Sequence, residues 1–221
     1  MASRLRLDVV VGDTVQVRPV VDGRDVLAAF PAGPGIEPET LLTPGGPLTA
    51  AGQPREVRLA MAECTEECCG ALYVTVRRDG DRVVWGGWRN PDDEEIDLSE
   101  FVFDAAGYDR ELLRATTDTS WEWPARTVAR LLGRHLRETP DILARWNCEP
   151  HAAVAWPWQR DRVTVLLFHP GRPTADPDAR WEQFLVEFVI GSGDPVDEAA
   201  RWADHLATTD PRRTGRRVGG N

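Results

Sequence analysis

Cys64, Cys68 and Cys69 crowd one stretch of the 221-residue chain, and in another Cys148 precedes His151 by three positions. Zinc prefers thiolate and imidazole in a tetrahedron and often takes its ligands as two close pairs from separate segments. Cys64 with Cys68 and Cys148 with His151 would make such a set, with Cys69 pointing away from its neighbour. A closed set would be structural. Three ligands and an open position for water would instead support a zinc-dependent hydrolase, with Glu63 or Glu149 as base. The spacing is not a strict C-x-x-C pair. The plainer alternative is reduced, buried cysteine, which packs as a small hydrophobe. A reactive thiol fits poorly, because Glu63, Glu66 and Glu67 would hold the nearby thiols in their protonated form.

Six of the nine tryptophans fall in close pairs: Trp85 with Trp88, Trp121 with Trp123, Trp156 with Trp158. Residues two apart on a strand share a face, so Trp156 and Trp158 project together; Trp121 and Trp123 do so only if extended. These rings would suit a platform for a sugar, a base or a protein partner. The competing reading is that they fill space between helix and sheet.

Other motifs are weaker. Gly191-Ser192-Gly193 stands where a phosphate loop would, but Asp194 puts an anion at the same amides and reads as a helix cap. The run Asp92-Asp93-Glu94-Glu95-Ile96-Asp97 lacks the alternation and central glycine of a calcium loop and reads as a solvated acidic segment. His135 and Glu138 would share a helix face without defining a metal site.

These residues sit in a chain with 42% hydrophobic and 28% charged residues, which excludes disorder as its main state and allows a real core. Four cysteines are too few for a disulfide scaffold and fit a cytoplasmic protein. All 26 basic residues are arginine, against 36 acidic ones, for a net charge of −10. That balance argues against binding along a phosphate backbone. The acid-free stretch 211–221 is the exception and reads as a flexible basic tail. No apolar run is long enough for a membrane helix, and the Arg4–Val17 pattern reads as strand rather than export signal.

The positioning elements follow from periodicity. Leu5, Leu7, Val9 and Val11 alternate with polar residues as a half-buried strand, and Val15 to Val20 follow after a Gly12-Asp13 turn. Asp25 to Phe30 suits a short helix, and the Pro- and Gly-rich stretch 31–55 an irregular connection. Strands are expected at Val57–Met61 and Leu72–Val76, with Asp79-Gly80 turning into Val83–Trp85. A strand over Phe101–Phe103 precedes helices near 106–115 and 121–137, the latter opening at a Thr119/Glu122 capping box or at Pro124. A short helix near 140–146 leads to an edge strand through Val154, Trp156 and Trp158, paired with Val163–Phe168. Phe184–Ile190 reads as a central strand. Asp194-Pro195 opens a final helix with Val196, Ala199, Ala200, Ala203, Leu206 and Ala207 on one stripe. The pattern predicts a single α+β domain over 1–210, mainly antiparallel sheet with helices packed on one face.

Residues Glu63-Cys64-Thr65-Glu66-Glu67-Cys68-Cys69-Gly70-Ala71-Leu72-Tyr73-Val74, with Val84-Trp85, Phe101-Val102-Phe103-Asp104 and Tyr108, resemble a group of uncharacterised actinobacterial proteins over residues 57–110. The absence of lysine fits such a source. The resemblance implies no activity, substrate or catalytic residue.

Two functions follow as expectations. One is a non-catalytic cytoplasmic binding protein, partner-neutralising in the manner of an immunity protein. The other is a zinc hydrolase or structural-zinc module built on Cys64, Cys68, Cys148 and His151.

Overall fold

The computed structural model describes residues 2–62, 70–91, 96–176 and 179–221. The architecture is α+β: three antiparallel sheets with six helices among the described residues. None of these helices is long and apolar enough to cross a membrane. The chain divides into two compact units, Met1–Trp121 and Glu122–Asn221. The residue pattern alone predicts one domain over 1–210.

The first unit holds two sheets. Strands β1 (Leu5–Val11), β2 (Val15–Val21) and β3 (Arg24–Asp25) form one in that order. Strands β4 (Arg55–Met61), β5 (Ala71–Asp79), β6 (Arg82–Arg89) and β7 (Phe101–Asp104) form the other. The β5–β6 hairpin turns where expected, and Gly80 takes the left-handed φ of +59° that its tight turn requires. Helix α1 (Pro38–Leu41) is a single turn. Helix α2 (Ala105–Thr117) opens on Asp104, whose Oδ2 accepts the Gly107 N–H at 2.7 Å.

The irregular connection 31–55 contributes to the first unit's core. Leu41, Leu42, Leu48 and Ala50 are all buried in the unit's core. The Leu48 carbonyl accepts a hydrogen bond from the Tyr108 hydroxyl at 2.7 Å, and that hydroxyl in turn accepts from Trp85 Nε1 at 3.2 Å. Burial pushes the Tyr108 phenol well up, so it remains a protonated bridge between connection, strand and helix.

The second unit holds helices α3 (Pro124–Glu138), α4 (Asp141–Ala144), α5 (Pro195–Thr208) and α6 (Pro211–Thr214). Its sheet runs β11-β10-β9-β8, from β8 (Glu149–Val154), β9 (Arg162–His169), β10 (Glu182–Val189) and β11 (Arg216–Gly220). Helix α3 opens at Pro124 with Trp123 as N-cap. Glu122 forms no capping box; it pairs with Arg130 at 2.6 Å and accepts from the Thr127 hydroxyl at 3.0 Å. Helices α3 and α5 cover one sheet face. Gly133 lets α3 come so close that a Cβ there would stand 3.2 Å from the Ala153 methyl, and Phe188 stacks on Trp202 of α5 at 4.2 Å.

Two expectations at the chain's end change. Residues 211–221, read as a flexible tail, form α6 and then β11, which pairs with β10. The stretch has no acid of its own, but Asp210 caps α6 and pairs with Arg212, and Glu182 pairs with Arg217 at 3.2 Å. The Arg212 guanidinium holds the Asp210 carboxyl down to about 2. Val196 lies off the buried stripe of α5 and is 62% exposed.

Candidate functional site

The expected edge strand does carry β8 at the sheet's end, but the strand stops at Val154, short of the tryptophans. Pro157 has no N–H to offer a ladder, and the chain closes on itself instead. Gln159 N donates to Trp156 O at 3.0 Å, Arg162 N to Gln159 O at 3.1 Å, and Arg160 Nε to Pro157 O at 3.3 Å. Ile190 N anchors the turn through Asp161 O at 2.8 Å. On this turn Trp156 and Trp158 stack with centroids 5.1 Å apart and planes 12° from parallel. Trp156 is half-buried and Trp158 is 65% exposed.

Val154, the last residue of β8, belongs to the sheet face opposite α3 and α5. Across it, Leu166 stands between Ala152 and Leu185, with Arg216 beyond, while Val154, Thr164 and Glu187 make the neighbouring row. Ala152, Val154, Leu166 and Leu185 are each half-buried, and Val189 is 55% exposed beside Arg162. Glu187 is an exposed acid of this face.

The other four tryptophans do different work. Trp85 is fully buried, edge-on to Phe103 at 5.6 Å and to Tyr108 at 6.2 Å. Trp88 is half-buried against Trp85 at 6.5 Å and donates to Ser99 O at 3.0 Å. Trp121 is half-buried and donates to Asp118 O at 2.9 Å. Trp123 is buried at the start of α3, with Arg160 5.3 Å above its ring. The six residues are therefore not one exposed platform. Trp85 and Trp123 are closed to a ligand, and Trp156 with Trp158 presents the exposed stack.

Glu63, Cys64, Cys68 and Cys69 lie outside the described residues. Cys148 is a free, buried cysteine, and its Sγ lies 3.6 Å from Trp146 O. Burial pushes its thiol up to about 11. His151 is exposed, its ring 4.8 Å from that of Phe168. Glu149, the alternative base, faces Arg172 at 3.6 Å. Among the described residues no three His, Cys, Asp or Glu converge as a metal site.

The glycine turn before α5 is capped: Asp194 Oδ1 accepts from Val196 N at 2.8 Å. Glu198 adds a second carboxylate, 3.4 Å from where a Cβ of Gly191 would stand. Two anions at those amides oppose a phosphate. His135 and Glu138 are exposed on α3. Of the acidic run, Asp92 to Glu95 lie outside the described residues.

Sequence reasoning missed the charge division. The first unit carries 12 arginines against 22 acids, net −10, whereas the second carries 14 of each. It also missed the Phe188–Trp202 stack, since neither residue has a paired neighbour in sequence. Comparison with protein-family models, with curated proteins and with solved structures finds no match.

Proposed function

We infer that this is a binding protein with no chemical step of its own, which recognises a protein partner through Trp156, Trp158 and the adjoining sheet face. One observation carries the reading: a stacked indole pair, held by a hydrogen-bonded turn, with its outer ring 65% exposed. Exposed, pre-ordered tryptophan is the residue type most enriched where binding energy concentrates, because it loses little side-chain freedom and covers much area. The acidity of the first unit favours a basic partner by steering it, which raises encounter rates more than affinity. Neutralising such a partner, as an immunity protein does, is the specific form of this role. The cytoplasm is the compartment proposed, where a free thiol such as Cys148 stays reduced. The resemblance of residues 57–110 to actinobacterial proteins contributes no activity.

Affinity capture from source-cell lysate with the native chain and Trp158→Ala in parallel tests this reading. A stoichiometric protein retained by the native chain and lost by the variant, with both melting at the same temperature, supports it. The same protein retained equally by both, or none by either, removes it.

A further inference from the structure

The most informative feature elsewhere is the open edge of β1 in the first unit. Successive residues of an antiparallel strand turn their N–H and C=O alternately to the partner and away from it. Arg4 faces β2, its carbonyl accepting the Asp22 N–H at 3.0 Å. Leu7 faces away; it stands opposite Pro19, which has no N–H. Its outward groups are met by side chains: Glu111 Oε1 accepts the Leu7 N–H at 2.7 Å, and Arg114 Nη2 donates to the Leu7 carbonyl at 2.7 Å. Joined to each other at 2.7 Å, these two side chains imitate the backbone of a neighbouring strand. Ser3, four residues earlier, also turns outward and donates its N–H to Val102 O at 2.7 Å.

Leu5 lies between these two satisfied positions. The same alternation turns its N–H and C=O to the edge, where it lines a cavity of about 550 Å³ with Arg4, Phe103, Gly107, Arg110 and Glu111. A hollow of about 830 Å³ shares Arg4, Leu5, Glu111 and Arg114 with it and extends the space along the strand. Both volumes suit a small ligand or a few residues of chain.

The charges favour an anion. The two acids on the wall are engaged, Asp104 with the Gly107 amide and Glu111 with Arg114 and Leu7. The guanidinium groups of Arg4 and Arg110, which also line the cavity, have no ion-pair or hydrogen-bond partner among the described residues. In a unit of net charge −10, two unpaired arginines beside an open strand position are a local reversal of sign.

We propose that this cavity binds the C-terminal end of an extended peptide. A peptide group of the ligand pairs with the N–H and C=O of Leu5, and the terminal carboxylate meets Arg4 and Arg110. Strand addition supplies affinity without regard to sequence, and the charged end fixes the register. The side chains of Glu111 and Arg114 close the edge at Leu7, so the added strand is confined to the Leu5 end.

The test uses the full chain labelled with ¹⁵N and a tripeptide, acetyl-Val-Thr-Val, with its C-terminus either free or amidated. The free form should shift the Leu5 amide saturably, and amidation should weaken binding about ten-fold or more, as loss of charged hydrogen bonds does. Arg4→Gln and Arg110→Gln should each weaken it to a similar degree, while Arg24→Gln leaves it unchanged. Equal binding of the amidated peptide, or of an amidated peptide with an internal Glu, would overturn the assignment to a chain end. Acetate alone reproducing the Leu5 shift at the same concentration, or no saturable shift from any peptide, would also overturn it.

Discussion

Trp85 and Trp158 mark the contrast between the two units. In the first, a fully buried indole is edge-packed by Phe103 and Tyr108, and its N–H is satisfied by a hydroxyl that is itself bonded to the Leu48 carbonyl. In the second, an indole stands on the surface, while Trp123 and Trp202 bury their Nε1 atoms with no hydrogen-bond partner among the described residues. A buried polar group left unmet costs about 1–3 kcal/mol, and a satisfied network specifies one arrangement. The first unit thus uses tryptophan to fix a core and carries its charge outside. The second is electrically balanced, tolerates two unmet indole N–H groups and displays aromatic surface. The two units thus put tryptophan to different uses.

The sharpest way to break that contrast is in the first core. Trp85→Ala removes a large ring from a closed site and also removes the donor to the Tyr108 hydroxyl. It should destabilise the protein by about 3–5 kcal/mol in urea unfolding. Loss below about 1 kcal/mol would mean the Trp85–Tyr108–Leu48 chain does not specify the core. Next is Trp158→Ala, expected to weaken the captured partner by about 2 kcal/mol or more, near thirty-fold in Kd by calorimetry, with stability changed by less than about 0.5 kcal/mol.

A smaller effect sharpens the edge closure of β1. Burial works to raise the Glu111 carboxyl, but Arg114 and the Leu7 N–H outweigh it and hold the group below its usual 4.5. A depressed folded value means the stabilisation is present above 4.5 and is lost as pH falls through the folded value. Glu111→Gln should therefore cost about 1 kcal/mol at pH 7, and the gap from the native chain should shrink in the acid window below 4.5. A gap unchanged with pH would show that the ion pair contributes nothing. Smallest of all is Trp202→Phe, which keeps the stack on Phe188 and removes an unmet N–H. Its unfolding free energy should stay within about 0.5 kcal/mol of native or rise. The same change at Trp85 should lower it, because there the N–H has a partner.

Much of the fold was legible because local chemistry and tertiary position agree. The Val-rich alternation of β1 and β2, the Asp79-Gly80 turn and the Asp194-Pro195 opening of α5 each state their structure in adjacent residues. Where structure depends on distant partners, the sequence said less. Stretch 31–55 reads as an irregular connection, but its composition does not show that Leu41 and Leu48 are buried in the unit's core. The last residues look like a solvated tail because the acids that neutralise Arg212 and Arg217 lie outside the arginine run. The candidate site was half legible. The spacing of Trp156 and Trp158 predicted a shared direction, but exposure was not encoded there. Trp85 lies within β6, whereas β8 ends at Val154 and leaves Trp156 and Trp158 outside a sheet.

Trp158 is held ready on the surface for a partner to cover, whereas Trp85 is closed off in the core. Hydroxyl-radical footprinting read by mass spectrometry tests it directly, on the chain alone and on its complex with the captured protein. Trp158 should oxidise rapidly in the chain alone and be strongly protected in the complex, with negligible oxidation of Trp85 in both. Protection of Trp158 in the chain alone, or equal oxidation with and without the partner, would contradict it.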